Sequence, residues 1–247
     1  MASRAAQKQQ ARERRLAEEQ AAAQKAARRR RWQIGGGAAA VVVVGAIVGV
    51  AAASSGGGGN NGGSGPAPRL NTAPISSVGT LRPAPSPGPL GSEGVPIPPA
   101  PVLAPPSSTG QTVDGIQCST TEQTLFHIHT HLTIFVNGSA RQIPQDVGFN
   151  DNTCLHWLHT HAPDGIIHIE SPEHRAFTLG NFFDIWGQPL GPDRAGPAKG
   201  TVTAFYNGAV YHGDPRNIPL GDRTEIQLDV GSPLIAPEKI SWSGTGL

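Results

Sequence analysis

Twenty consecutive residues without a charge, 34–53, constrain this chain more than any other feature of its sequence. As a helix they rise about 30 Å, which matches the hydrocarbon core of a bilayer. Gly and Ala dilute the run, yet four valines stand together at 41–44 and a soluble domain has no need of such a stretch. Four arginines, Arg28 to Arg31, come directly before it. Cationic flanks stay on the cytoplasmic side, so the pattern predicts a single transmembrane helix with the C-terminus outside. A cleaved export signal is the competing reading, with Ala51, Ala52 and Ala53 as small residues for the cut and paired arginines in front. The 31-residue charged extension is long for such a signal, which favours a retained anchor.

The charge distribution divides the chain along the same line. Residues 1–31 carry ten Lys/Arg against three Glu, and residues 113–247 carry seven Lys/Arg against fourteen Asp/Glu. Residues 1–33 are good helix formers without an apolar stripe, so they read as a basic cytoplasmic segment beside the membrane. The arginine run could also suit a nucleic acid, but its place directly before the apolar stretch makes the membrane its partner. Residues 54–112 are Gly/Ser/Asn-rich and then Pro-rich, as in Pro83-Ala-Pro-Ser-Pro-Gly-Pro89. Such a composition predicts a disordered stalk, coil at first and polyproline II later.

The folded domain is expected over 113–247, about 135 residues, long enough for one core. Residues 125–136 alternate apolar and polar, and residues 154–161 and 166–171 flank a Pro163-Asp164-Gly165 turn. Further strands follow at 202–206 and 224–230. Asn137-Gly138 and Asn207-Gly208 are type I′ hairpin signals. Leu132-Thr-Ile-Phe-Val-Asn-Gly138 also parallels Val202-Thr-Ala-Phe-Tyr-Asn-Gly208, which predicts two similar hairpins. One short helix is expected at 178–186, with Thr178 as its cap, Leu179, Phe182, Phe183 and Trp186 on its packed face and Gly187 as its stop. The expected fold is mostly β: a small antiparallel sandwich or barrel with one helix closing an end.

Cys118 and Cys154 are the only cysteines, and an oxidising compartment favours a disulfide between them. The alternative makes Cys154 a thiolate ligand beside His156. Seven of the nine histidines lie between 127 and 168. His127, His129 and His131 alternate in a strand, so their imidazoles share the face opposite the apolar residues. If the 163–165 turn closes with four residues, His159 opposes His168; if with two, His161 does. Both registers leave His159, His161, His168 and Glu170 on one face, because they differ by an even number. His127, His129, His131, His159, His161 and His168 are therefore candidate metal ligands. His156, His174 and His212 fall outside that pattern.

Imidazole suits Zn²⁺ and Cu²⁺, and with Met1 as the only methionine a Met-rich copper(I) site is excluded. The alternatives are a zinc-dependent enzyme of the cell envelope and an envelope-binding structural module without metal. Three imidazoles on strands have a parallel in the α-type carbonic anhydrases, but this domain is far shorter and the surrounding residues differ. Surplus ligands favour a filled shell, so no catalysed hydrolysis or hydration is expected.

The segment Phe126-His-Ile-His-Thr-His-Leu-Thr-Ile-Phe-Val-Asn-Gly138, with Trp157-Leu-His-Thr-His161, Gly165-Ile-Ile-His-Ile-Glu-Ser-Pro172 and Phe177-Thr-Leu-Gly-Asn-Phe-Phe-Asp-Ile-Trp-Gly187, resembles an uncharacterised family of prokaryotic membrane-anchored proteins with a His-rich extracytoplasmic β domain. The resemblance spans roughly residues 114–242 and implies the domain's extent, not its chemistry. A reporter enzyme fused after Leu247 is expected to be active only outside the cytoplasm; activity inside would overturn the topology.

Overall fold

The eleven residues of β3, Phe126–Val136, form the longest strand among the described residues and contribute to both faces of the main sheet. The structure, a computed structural model, describes residues 70–151 and 153–247. The basic segment 1–33, the expected transmembrane helix 34–53 and residues 54–69 of the expected stalk lie outside the described residues. Among the described residues no helix is long and apolar enough to cross a membrane.

In chain order the strands are β1 (Thr72–Ala73), β2 (Cys118–Ser119), β3, β4 (Ser139–Arg141), β5 (Phe149–Asn150), β6 (Cys154–His156), β7 (Leu158–His159) and β8 (Ile166–Ser171). The helix α1 (Leu179–Ile185) follows, then β9 (Leu190–Gly191), β10 (Arg194–Ala195), β11 (Ala198–Lys199), β12 (Val202–Tyr206), β13 (Ala209–Tyr211) and β14 (Thr224–Val230). The main sheet has eight strands in the order β1-β13-β12-β14-β3-β8-β7, with β4 also on β3. Two three-stranded sheets, β2-β6-β5 and β9-β10-β11, accompany it among the described residues.

Both expected hairpins form. Asn137 and Gly138 join β3 to β4, and Asn207 and Gly208 join β12 to β13, all four at positive φ as a type I′ turn requires. The hairpins do not pair with each other, because β14 lies between β12 and β3. The helix is also where the spacing placed it. Thr178 caps it with its side chain, Asn181 returns the bond to the Thr178 backbone, and Gly187 follows at φ +67°.

The expectation of a wholly antiparallel sandwich or barrel needs correction. β14 pairs with β3 in parallel, from Thr224↔Thr130 to Val230↔Val136, and β1 and β7 stand at the two edges of the sheet. Turn signals report only local pairs, whereas this pair joins strands about ninety residues apart.

One face of the sheet is apolar. Leu132 and Ile134 of β3, Ile167 and Ile169 of β8, and Ile226, Leu228 and Val230 of β14 pack against Leu179, Phe182, Phe183 and Trp186 at α1. The other face carries the polar partners of the same alternation. There Glu225, Gln227 and Asp229 of β14 each bind the backbone of the C-terminal segment: Ile240 N–H donates to Glu225 (3.2 Å), Glu238 N–H to Gln227 (3.0 Å) and Ile235 N–H to Asp229 (2.6 Å). Those bonds answer the polar groups that burial would otherwise leave unpaired.

Residues 70–112 depart from the stalk expectation and belong to the folded body. β1 pairs with β13, Leu103 and Ala104 enter the core cluster, Val95 is fully buried, and the Trp186 indole N–H donates to the Pro105 carbonyl (2.8 Å). Composition suggested a segment with nothing to bury. Its few apolar side chains and its carbonyls instead dock on surfaces the β domain provides.

The Cys118–Cys154 disulfide forms and fastens β2 to β6. Replacing both cysteines by Ser is expected to lower the unfolding free energy by about 4 kcal/mol, the loop-closure entropy for a separation of 36 residues. Denaturant unfolding without reductant measures this, and a loss under about 1 kcal/mol would mean that packing alone holds β2.

Candidate metal centre

The register of three adjacent strands assembles the site. His159 of β7 stands opposite His168 of β8, and His168 stands opposite His129 of β3. This is the register of the four-residue option, although β7 ends at His159 and residues 160–165 make the connection, so one row of imidazoles crosses three strands. Directly opposed side chains in a sheet are about 5 Å apart, which obliges the rings to touch. Ring centroids are 5.4 Å apart for His159 and His168, which stack, and 4.6 Å for His129 and His168. The next row pairs His127 with Glu170.

The donor atoms converge. Those of His159, His161, His168 and Glu170 all lie within 4.8 Å of one another, and so do those of His127, His129 and His168. The His159 and His161 Nε2 atoms are 3.2 Å apart, and those of His127 and His129 are 3.0 Å apart. Two nitrogens on one tetrahedral ion at about 2.05 Å would stand about 3.3 Å apart. His129, His159, His168 and Glu170 are buried, while His127 and His161 form an exposed rim. Phe149 packs edge-on against His159 and His161.

His159 is set up as a ligand. Its Nδ1–H donates to the His156 carbonyl (2.8 Å), which leaves the Nε2 lone pair facing the cluster. Burial pushes His159 down to about 3 and His129 down to about 4, so both rings are neutral at physiological pH. His168 differs. Burial alone would lower it, but Glu170 and Glu93 outweigh burial and raise it to about 9. Its Nε2 bonds Glu93 at 2.8 Å, whereas its Nδ1 is 3.6 Å from Glu170, too long for a hydrogen bond. Glu170 therefore acts on Nδ1 through its charge. Burial would raise both carboxyls, but the His168 contact holds each below the usual range.

Three buried polar atoms here have no hydrogen-bond partner: His168 Nδ1, Glu170 Oε2 and Glu93 Oε2. Each such group costs about 1–3 kcal/mol when left unpaired. A cation among them would satisfy the two carboxylate oxygens, and a ring nitrogen freed of its proton would join the shell. The residues present fit a divalent transition metal: imidazole and carboxylate donors, mutual distances near a coordination edge, and orphaned lone pairs.

Of the six histidines singled out in the sequence, His127, His129, His159, His161 and His168 come together. His131 does not. It shares their face but stands one row further along β3, opposite Ile166, and its Nε2 bonds the Asp164 carbonyl at 2.9 Å. There it borders a separate cavity of about 610 Å³ beneath the Pro-rich segment, away from the cluster. Cys154 is no ligand, being in the disulfide. His156 is a structural pin, its Nε2 on the Gln111 carbonyl (2.8 Å) and its Nδ1 between Ser108 Oγ and the Gly148 carbonyl. His174 meets Phe126 edge-on, and His212 is exposed.

Glu93 lies outside every motif of the sequence. It rides on a tight turn, where Gly94 N–H donates to the Gly91 carbonyl (3.2 Å), and enters the cluster from a stretch expected to be disordered. One signal marks it: Glu93 is the only acidic residue between positions 32 and 113. Comparison with protein-family models, with curated proteins and with solved structures finds no match to this chain.

Proposed function

We propose that this chain is a membrane-anchored extracytoplasmic protein whose β domain binds a divalent transition metal, zinc or copper(II). The observation that supports this most directly is the convergence of His159, His161, His168 and Glu170 donor atoms within 4.8 Å, three of the four residues buried. An isolated surface histidine has no reason to be desolvated among other imidazoles. Desolvating several together is unfavourable unless something they hold offsets it.

Binding or carriage fits this geometry better than catalysis. A catalytic zinc site keeps an open position and a base one water away. Glu170 instead lies 3.2 Å from His127 Nε2 and 3.9 Å from His159 Nε2, inside the ligand set itself. The disulfide and the basic run before residue 34 support an exported domain held at the membrane.

The test is calorimetry with elemental analysis on the detergent-solubilised full chain after chelator treatment. Zn²⁺ or Cu²⁺ is expected to bind, and His159→Ala is expected to weaken binding by about 100-fold or more, since it removes a buried, pre-oriented donor. His212→Ala should change nothing. No uptake of either metal would falsify the proposal.

A further inference from the structure

One ion cannot use all these donors. The donors instead form two sets: His159, His161, His168 and Glu170 on the β7–β8 side, and His127, His129 and His168 on the β3 side. Each set holds its own close nitrogen pair, 3.2 Å in the first and 3.0 Å in the second.

Glu170 stands between them. Its Oε1 is 3.9 Å from His159 Nε2 in the first set and 3.2 Å from His127 Nε2 in the second. Its other oxygen, Oε2, is buried without a partner, in a residue only 3% exposed. A carboxylate with one oxygen shared between two nitrogen pairs and the other unanswered has the form of a bridging ligand. Glu93 adds a second carboxylate on His168, also with a buried orphan oxygen. Five imidazoles and two carboxylates exceed the four donors of one tetrahedral ion and suit a pair.

We propose that the cluster is a dinuclear centre, with two divalent transition-metal ions side by side and the Glu170 carboxylate bridging them. His159 and His161 hold the first ion, His127 and His129 the second, and His168 stands at their junction. Ions so bridged lie about 3.5–4 Å apart. This inference rests on the proposed metal binding, but its test separates the two.

The metal-free full chain is titrated with Cu²⁺, with bound copper counted by elemental analysis and its spins followed by electron paramagnetic resonance. Two equivalents are expected, with the signal growing up to the first and collapsing or broadening as the second binds, because adjacent bridged copper(II) spins couple. Glu170→Gln should abolish the coupling. Should that variant fail to fold, His127→Ala, at the exposed rim, decides instead: it should retain one equivalent with an uncoupled signal. Saturation of the unaltered chain at one equivalent would overturn the dinuclear centre and leave metal binding intact. Two equivalents with uncoupled signals would overturn the bridge, and no uptake would sink both proposals.

Discussion

The period-two alternation of β3 and β8 is the constraint on which the rest of the structure depends. On β3 it turns Ile128, Leu132 and Ile134 toward α1 and His127, His129 and His131 the other way. Once the apolar face is buried, register is no longer free, because a slip of one residue would put imidazoles in the core. The same burial that holds β8 on β3 therefore sets His168 opposite His129 and Glu170 opposite His127. The site is a consequence of packing on the far side of the sheet.

A face bearing five imidazoles and several carboxyls would ordinarily be left to water. Here it is covered. The C-terminal segment is tied down by Glu225, Gln227 and Asp229, and the Pro-rich segment brings Glu93 onto His168. Covering lowers the local dielectric, which makes every unpaired charge more costly and every correct pairing stronger. Without a metal, the positive charge between Glu170 and Glu93 belongs to a proton on His168, which sits where a metal cation would compensate the same two carboxylates.

What the sequence made legible was local. The alternation of residues 126–136, both Asn-Gly turns, the capped helix and the His159–His168 face could each be read from a window of a few residues. The disulfide was legible from the two cysteines and the expectation of an oxidising compartment. The parallel pairing of β14 with β3 was not legible, because nothing within either strand encodes a partner about ninety residues away. His131 shares the face of His127 and His129, but its ring turns onto the Asp164 carbonyl at 2.9 Å, a tertiary contact that strand alternation does not encode. For residues 70–112 composition does not register carbonyls and single apolar side chains that find partners on another surface. Glu93 was hidden by the same averaging.

Imidazoles crossing β3, β8 and β7 that hold a metal would leave a distinct signature in its coordination shell. X-ray absorption at the zinc edge of the zinc-loaded full chain tests for it most directly. A shell of nitrogen and oxygen at about 2.0–2.1 Å is expected, with the outer scattering of at least two imidazole rings and no sulfur. An oxygen-only shell without imidazole scattering, or sulfur at about 2.3 Å, would contradict imidazole ligation.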